Sequence, residues 1–368
     1  MKVIENGFIY NDKEKEFQKG LLIIKDENIA DVIFSVDDET KIDPKAEKID
    51  ATGLYVMPGF IDTSSQIGLR ETGVRWEGDD SYEPLYSDPL ELSVVDGIYP
   101  FDMAFAEAVS EGVTASHVMA APNQVIGGKT AVIHTSGKTV DQMIVNSDVG
   151  YSFSMGELPK TALFEHKKLP LTRMAIAKQI RDAMNELRKE DQLNGKEIFI
   201  RCHRADDIAT AIRIGKECEV HITLVHATEF SSTHEKQANG SVDVIAGPAF
   251  QPMIRQELQH LHPSLYKRLS ATNLSYALAS DHPTSSVAHL RLEGILALKQ
   301  GLKKEDVLNQ LTIEAAKIVG CSDRIGSLEK GKFADVVLWN DHPLTYGATV
   351  ERTYIKGEEV YKEMNVHA

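Results

Sequence analysis

Three polar side chains close apolar runs, at places where they cannot easily keep their water. Asp281 ends "YALASD", His226 ends "ITLVH" and Arg201 ends "EIFIR". A carboxylate so placed loses hydration unless it meets a cation or a proton partner. Asp281 is therefore expected either to serve chemistry or to cap the turn that follows it. His226 reads as a metal ligand or as a hydrogen-bonded core histidine. Arg201 opens the run "RCHR", and its guanidinium fork can hold a carboxylate without any metal. In "GELPK", Glu157 and Lys160 lie three residues apart, which suits an ion pair. The run "GGKT" at 127–130 imitates the end of a phosphate-binding loop. Asn123 stands where that loop requires glycine, however, and "AVIHTSG" after it is strand-like rather than helical. The remaining histidines, His134, His166, His221, His234, His260, His262 and His289, show no paired spacing and are read as surface or satisfied side chains.

These residues need elements that bring strand ends together. From about residue 58, strand-like pieces alternate with helical periods, as in "EIFIRCH", "RADDIATAIRIGKEC" and "VHITLVHATE". Such alternation predicts parallel strands with crossover helices. The run "LTRMAIAKQIRDAMNELRKE" predicts an amphipathic helix, with Thr172 as N-cap and Met174, Ala177, Ile180, Met184 and Leu187 on its apolar face. Short β-like runs fill the first fifty or so residues and return in "ADVVLWND" and "RTYIKGEEVYKE", so the two chain ends are expected to fold together. The acidic segment 70–91, carrying Trp76, Tyr82 and Tyr86, is expected to be a lid or a rim loop.

The chain has 368 residues, enough for one large α/β barrel with a minor domain. Its 55 acids against 40 bases give a net charge of −15, which argues against nucleic acid or an anionic membrane and for a small-molecule partner. A homo-oligomer is compatible with this composition. Three cysteines without paired spacing suit a reducing compartment, and neither an apolar leader nor a membrane-length stretch is seen, so a cytoplasmic protein is expected.

Several blocks, in order, carry a resemblance. They are "DATGLYVMPGFID" (50–62), "GGKTAVIHTSG" (127–137), "GELPK" (156–160), "HRADDIATAIRI" (203–214), "LVHATE" (224–229), "ASDHP" (279–283) and "IGSLEKGKFADVVLW" (325–339). Together they resemble the amidohydrolase superfamily and, within it, an imidazolonepropionase-like group of small-molecule hydrolases. The resemblance implies an α/β fold: a distorted (β/α)8 TIM barrel over 58–324, beside a small β-sandwich built from 1–57 and 325–368. Chemistry would then sit at the C-terminal ends of the strands.

It also implies metal-assisted hydrolysis of a C–N bond, other than a peptide bond, in a small and perhaps cyclic amide, with Asp281 moving the proton. This sequence departs from the pattern. Relatives follow Pro-Gly-Phe-Ile-Asp with His-x-His, two imidazoles that alternation along a strand aims at one ion. Here those places hold Ser64 and Gln66. A fifth-strand His-x-His-Arg is replaced by Arg201-Cys202-His203-Arg204, which puts a fixed cation where the metal would sit.

Two readings stand at this point, with catalytic activity open between them. In one, a single zinc ion is held by Glu157, His203 and His226, the only ligand types left at strand ends; a carbamate on Lys160 is the less favoured variant. In the other, the protein is a metal-free relative that binds a small molecule or a partner. Arg201, Arg204, Lys160, Ser64 and Gln66 would then serve the substrate or the electrostatics of the site. Under this second reading Arg201 is expected within hydrogen-bonding reach of Asp281 or Glu157, standing in electrostatically for the missing ion.

Overall fold

Runs that are apolar on both faces need cover on both faces, and eight of them close on one another in chain order. A computed structural model describes residues 1–34, 43–83, 86–165 and 172–363. Its barrel strands are β1 (Phe60–Ser65), β2 (Val113–Val118), β3 (Ile126–His134), β4 (Ile144–Ser154), β5 (Glu197–Cys202), β6 (Ile222–His226), β7 (Val242–Ala246) and β8 (Tyr276–Leu278). Every residue of β1, β2, β6 and β8 is buried, as expected of strands covered by helices outside and side chains inside. The ring closes between β8 and β1: Thr63 Oγ1 donates to Leu278 O (2.9 Å), Asp281 N to Ser64 O (2.9 Å) and Gln66 N to His282 O (2.8 Å).

The distortion of the barrel has a location. β3 runs antiparallel to both β2 and β4, whereas the other neighbouring pairs are parallel. The βα alternation expected from the sequence is thus interrupted by a meander at "GGKTAVIH". Its glycines serve packing: Gly128 has φ +76°, and a Cβ there would lie 2.5 Å from Leu92 O. Lys129 pairs with Glu91 at 3.2 Å, so nothing phosphate-like survives in this run.

Among the outer helices, α1 (Glu157–Glu165) follows β4, α2 (Arg173–Lys189) precedes β5, and α3 (Ala205–Glu217) joins β5 to β6. Thr172 caps α2, its Oγ1 accepting from Ala175 N at 3.2 Å. The inward stripe of α2 is Ile176, Ala177, Ile180, Ala183, Met184 and Leu187. Met174, expected on that stripe, is 81% exposed instead. At about 100° per residue it sits roughly 200° round the helix from Ile176.

Both chain ends enter one six-stranded sheet. Val336–Trp339 pairs antiparallel with Tyr55–Pro58, which pairs parallel with Phe8–Asn11. A four-stranded sheet of Lys2–Glu5, Leu21–Lys25, Asn28–Ile33 and Glu47–Asp50 packs on it through Ile4, Leu22, Ile24, Val56, Val336 and Leu338. This is the expected sandwich from the termini. The three cysteines are free and buried. Among the described residues no helix is long and apolar enough to cross a membrane.

Candidate functional site

The C-terminal ends of β1, β5, β6 and β8 converge on one carboxylate oxygen. Asp281 Oδ1 accepts a hydrogen bond from Ser64 Oγ at 3.2 Å. Arg201 Nη2 and His226 Nε2 each lie 3.8 Å from the same oxygen. Asp281, His226 and Ala227 have φ of +53°, +71° and +45°, left-handed conformations that non-glycine residues adopt at a cost and that cluster at functional sites. Strand ends that turn sharply in this way aim their side chains into the barrel mouth.

Arg201 is 3% exposed. Its Nη1 donates to Ala120 O, while Nε and Nη2 are buried without a hydrogen-bond partner. Burial pulls its pKa below the usual guanidinium value and Asp281 opposes that shift, but an arginine stays charged at any ordinary pH. Arg201 and Asp281 are an ion pair at 3.8 Å, which falls short of the hydrogen-bonding reach expected from the sequence.

The two histidines stack, with ring centroids 4.5 Å apart and planes 9° from parallel. His226 Nδ1 donates to Gly247 O (2.8 Å), and His203 Nδ1 lies 2.8 Å from Thr228 Oγ1. Burial is the main cause holding both pKa values down. For His203 the neighbouring His226, Arg255 and Arg201 add to it, and for His226 the Asp281 carboxylate partly opposes it. Both rings are therefore neutral near pH 7; on His226, whose Nδ1 carries the proton, Nε2 keeps its lone pair.

A cavity of about 280 Å3 opens over this cluster, lined in part by Gln66, Arg201, His203, His226, Arg255 and Asp281. Glu157, Lys160 and Arg204 are not part of it. They line a second cavity of about 440 Å3 with Arg173 and Glu257. Glu157 is spent on an interlock across one hundred residues: its N donates to Glu257 Oε2 at 2.8 Å, and Glu257 N donates to Glu157 Oε2 at 3.3 Å. Arg204 holds Asp206, Nε to Oδ1 at 3.0 Å. Glu157 therefore does not join His203 and His226, and among the described residues no group of three or more His, Cys, Asp or Glu side chains could hold a metal ion.

Sequence reasoning passed over two residues here. Asp62, beneath the cluster, accepts from Ser280 N (3.0 Å) and Ser280 Oγ, and complete burial pushes its pKa up to about 7. Its place in "GFID", on an inward-facing strand, was the available signal. Arg255 lies in the loop after β7, where no periodicity marks it. Of the 70–91 segment, Arg70, Asp79, Ser81 and Tyr82 line the cavity, Arg70 and Asp79 being paired at 3.2 Å. Trp76 is 86% exposed rather than tucked against the rim, and residues 84–85 lie outside the described residues. His134 Nε2 lies 2.9 Å from Asp335 Oδ2 while its Nδ1 is buried without a partner; His166 lies outside the described residues.

Comparison with known proteins gives a consistent answer. The sequence profile of the amidohydrolase family matches residues 189–360. The chain is 31% identical to an amidohydrolase from Thermotoga maritima of known crystal structure, covering 99% of this chain and 100% of that one, with a TM-score of 0.90. It is 23% identical to amidohydrolase tasK of Hapsidospora irregularis over 84% of this chain, and 37% identical to an imidazolonepropionase of Erwinia tasmaniensis over 31% of it. These matches span only 36% and 27% of the two curated relatives.

Proposed function

The chain belongs to the amidohydrolase superfamily, and from that premise we propose that its barrel mouth binds a small molecule without zinc, Arg201 standing in electrostatically for the metal. One observation carries the reading: a buried guanidinium lies 3.8 Å from Asp281 Oδ1. A divalent cation there would meet a fixed positive charge that cannot be titrated away. The remaining donors fit zinc poorly. Ser64 and Gln66 offer neutral oxygens, Ser64 Oγ is already committed to Asp281, and among the described residues His203 and His226 gather no third His, Cys, Asp or Glu ligand.

Within this site each residue has a task. Arg201 neutralises Asp281 and fixes its orientation with Ser64. Gln66, His203 and His226 supply polar atoms that orient a ligand. The stacked, neutral histidines keep the floor rigid.

Elemental analysis of protein purified without chelator tests the proposal. Less than a tenth of an equivalent of zinc is expected (order of magnitude, as for a site with no imidazole-rich ligand set). One or two tightly held equivalents, removed by chelator with loss of stability, would overturn it.

A second reading has its own observation. His226 Nε2 is 3.8 Å from Asp281 Oδ1 with its lone pair free, so the pair could still move a proton for slow hydrolysis of a C–N bond in a small amide. A screen of lactams, hydantoins, imidazolones and N-acyl amino acids, with Asp281→Asn as the blank, separates the two. Chelator-insensitive turnover lost in the variant supports hydrolysis, and equal rates exclude it.

A further inference from the structure

Two of the three arginines at the mouth face a carboxylate within 4 Å, and the third does not. Arg70 is paired with Asp79 at 3.2 Å, and Arg201 faces Asp281 at 3.8 Å. Glu257, the remaining carboxylate, accepts from the Glu157 amide at 2.8 Å, and burial raises its pKa against the opposing charge of Arg255. That leaves Arg255. Its side chain is half-buried, lines the cavity, and enters no hydrogen bond or ion pair among the described residues, its Nε being buried without a partner. Arg201, nine-tenths buried and more, adds two unpartnered donors in the same cavity, Nε and Nη2.

The field of these two guanidinium groups is felt across the cavity. Both are among the causes that lower the pKa of His203 and of His226, although at His226 the Asp281 carboxylate opposes them. Guanidinium donors that lack a hydrogen-bond partner and are partly desolvated are matched by the planar oxygens of a carboxylate. The opposite chemistry appears at Gln66. Its Oε1 is buried with no donor, and it lines the same cavity. A ligand with an acid at one end and an N–H at the other would satisfy both. The volume of about 280 Å3 lies at the lower bound of ordinary ligand sites and restricts the ligand to a small molecule.

We propose that this mouth takes a small N-acylated amino acid by its carboxylate, clamped by Arg255 with Arg201 behind it, and by its amide N–H, received by Gln66. The inference rests on the metal-free reading above and adds the ligand class to it.

The probes are N-acetylglycine and N-acetylalanine, each against its primary amide, which has the same shape without the charge. Thermal unfolding and calorimetry are run on the whole chain with millimolar probe. The acids should raise the unfolding midpoint and the amides should not. Arg255→Gln, at a half-exposed position that leaves the strands untouched, should weaken acid binding roughly 10- to 100-fold, the usual worth of a hydrogen bond to a charged group. Gln66→Leu should weaken it less. Acids and amides binding alike, no acid binding at all, or Arg255→Gln binding as well as the parent would each overturn the clamp. Zinc is measured on the same sample: stoichiometric zinc refutes the metal-free reading, whereas zinc-free protein that fails the acid test refutes only the ligand class.

Discussion

Replacing Arg201 with methionine keeps most of the buried stem and removes only the charge, which isolates the electrostatic role assigned to it. The pair it forms with Asp281 is buried on both sides, 3% and 7% exposed at 3.8 Å. At an effective dielectric of about 20, two unit charges at that separation attract by about 4 kcal/mol. The variant no longer has to desolvate a guanidinium, which offsets part of the loss, and Ser64 still donates to Asp281. Stranding one member of a buried pair usually costs about 3–5 kcal/mol, so a loss near 3 kcal/mol is expected. Asp281→Asn should cost a similar amount by stranding Arg201. The double variant removes both charges together and should recover about 2 kcal/mol of the summed losses. Urea unfolding of the four proteins at one pH measures the cycle. A coupling energy below about 0.5 kcal/mol would mean that the two charges do not depend on each other, and the metal-replacing role of Arg201 would fall with it.

Two further outcomes follow from neighbouring parts of the fold. Burial raises the pKa of Asp62 in the folded chain from an ordinary value of 3.8 to about 7, so the folded state holds the proton more tightly than the unfolded one. Stability contributed by this proton is complete below about pH 4 and is lost as pH rises toward 7, by an amount on the order of 4 kcal/mol. Asp62→Asn should therefore gain on the parent in urea midpoint between pH 4 and pH 8, and a constant difference across that range would show that Asp62 ionises normally. Ending the chain after residue 324 removes Val336–Trp339, leaving Tyr55–Pro58 with an open edge and His134 without Asp335. We propose that the barrel does not stand alone, and aggregation of the truncated chain by size-exclusion chromatography is the expected result; a monomeric, cooperatively folding product would refute this.

What the sequence could disclose depended on whether a residue's neighbours were set by its own strand. Asp281, His226 and Arg201 each end an apolar run, so closing the barrel was enough to bring them together. Glu157 begins a helix, and its partner is the amide of Glu257, one hundred residues away in an irregular loop; no local pattern encodes that meeting. The direction of β3 was partly legible after all. The connectors at 119–125 and 135–143 are shorter than the dozen or so residues that a parallel crossover requires, so "GGKTAVIH" had to return antiparallel.

The same distinction bears on why loss of the histidine pattern need not empty the site. A carboxylate at the end of β8 requires a cation opposite it, and the barrel fixes where that cation must lie, not what it is. An arginine on β5 meets the requirement within the chain itself, but its charge is permanent and its donors point in set directions. It can hold an anion and orient it, yet it cannot do what zinc does to the pKa of bound water. On the metal-free reading proposed above, a mouth built this way is suited to recognising an acid, and proton transfer in any hydrolysis would fall to Asp281 and His226.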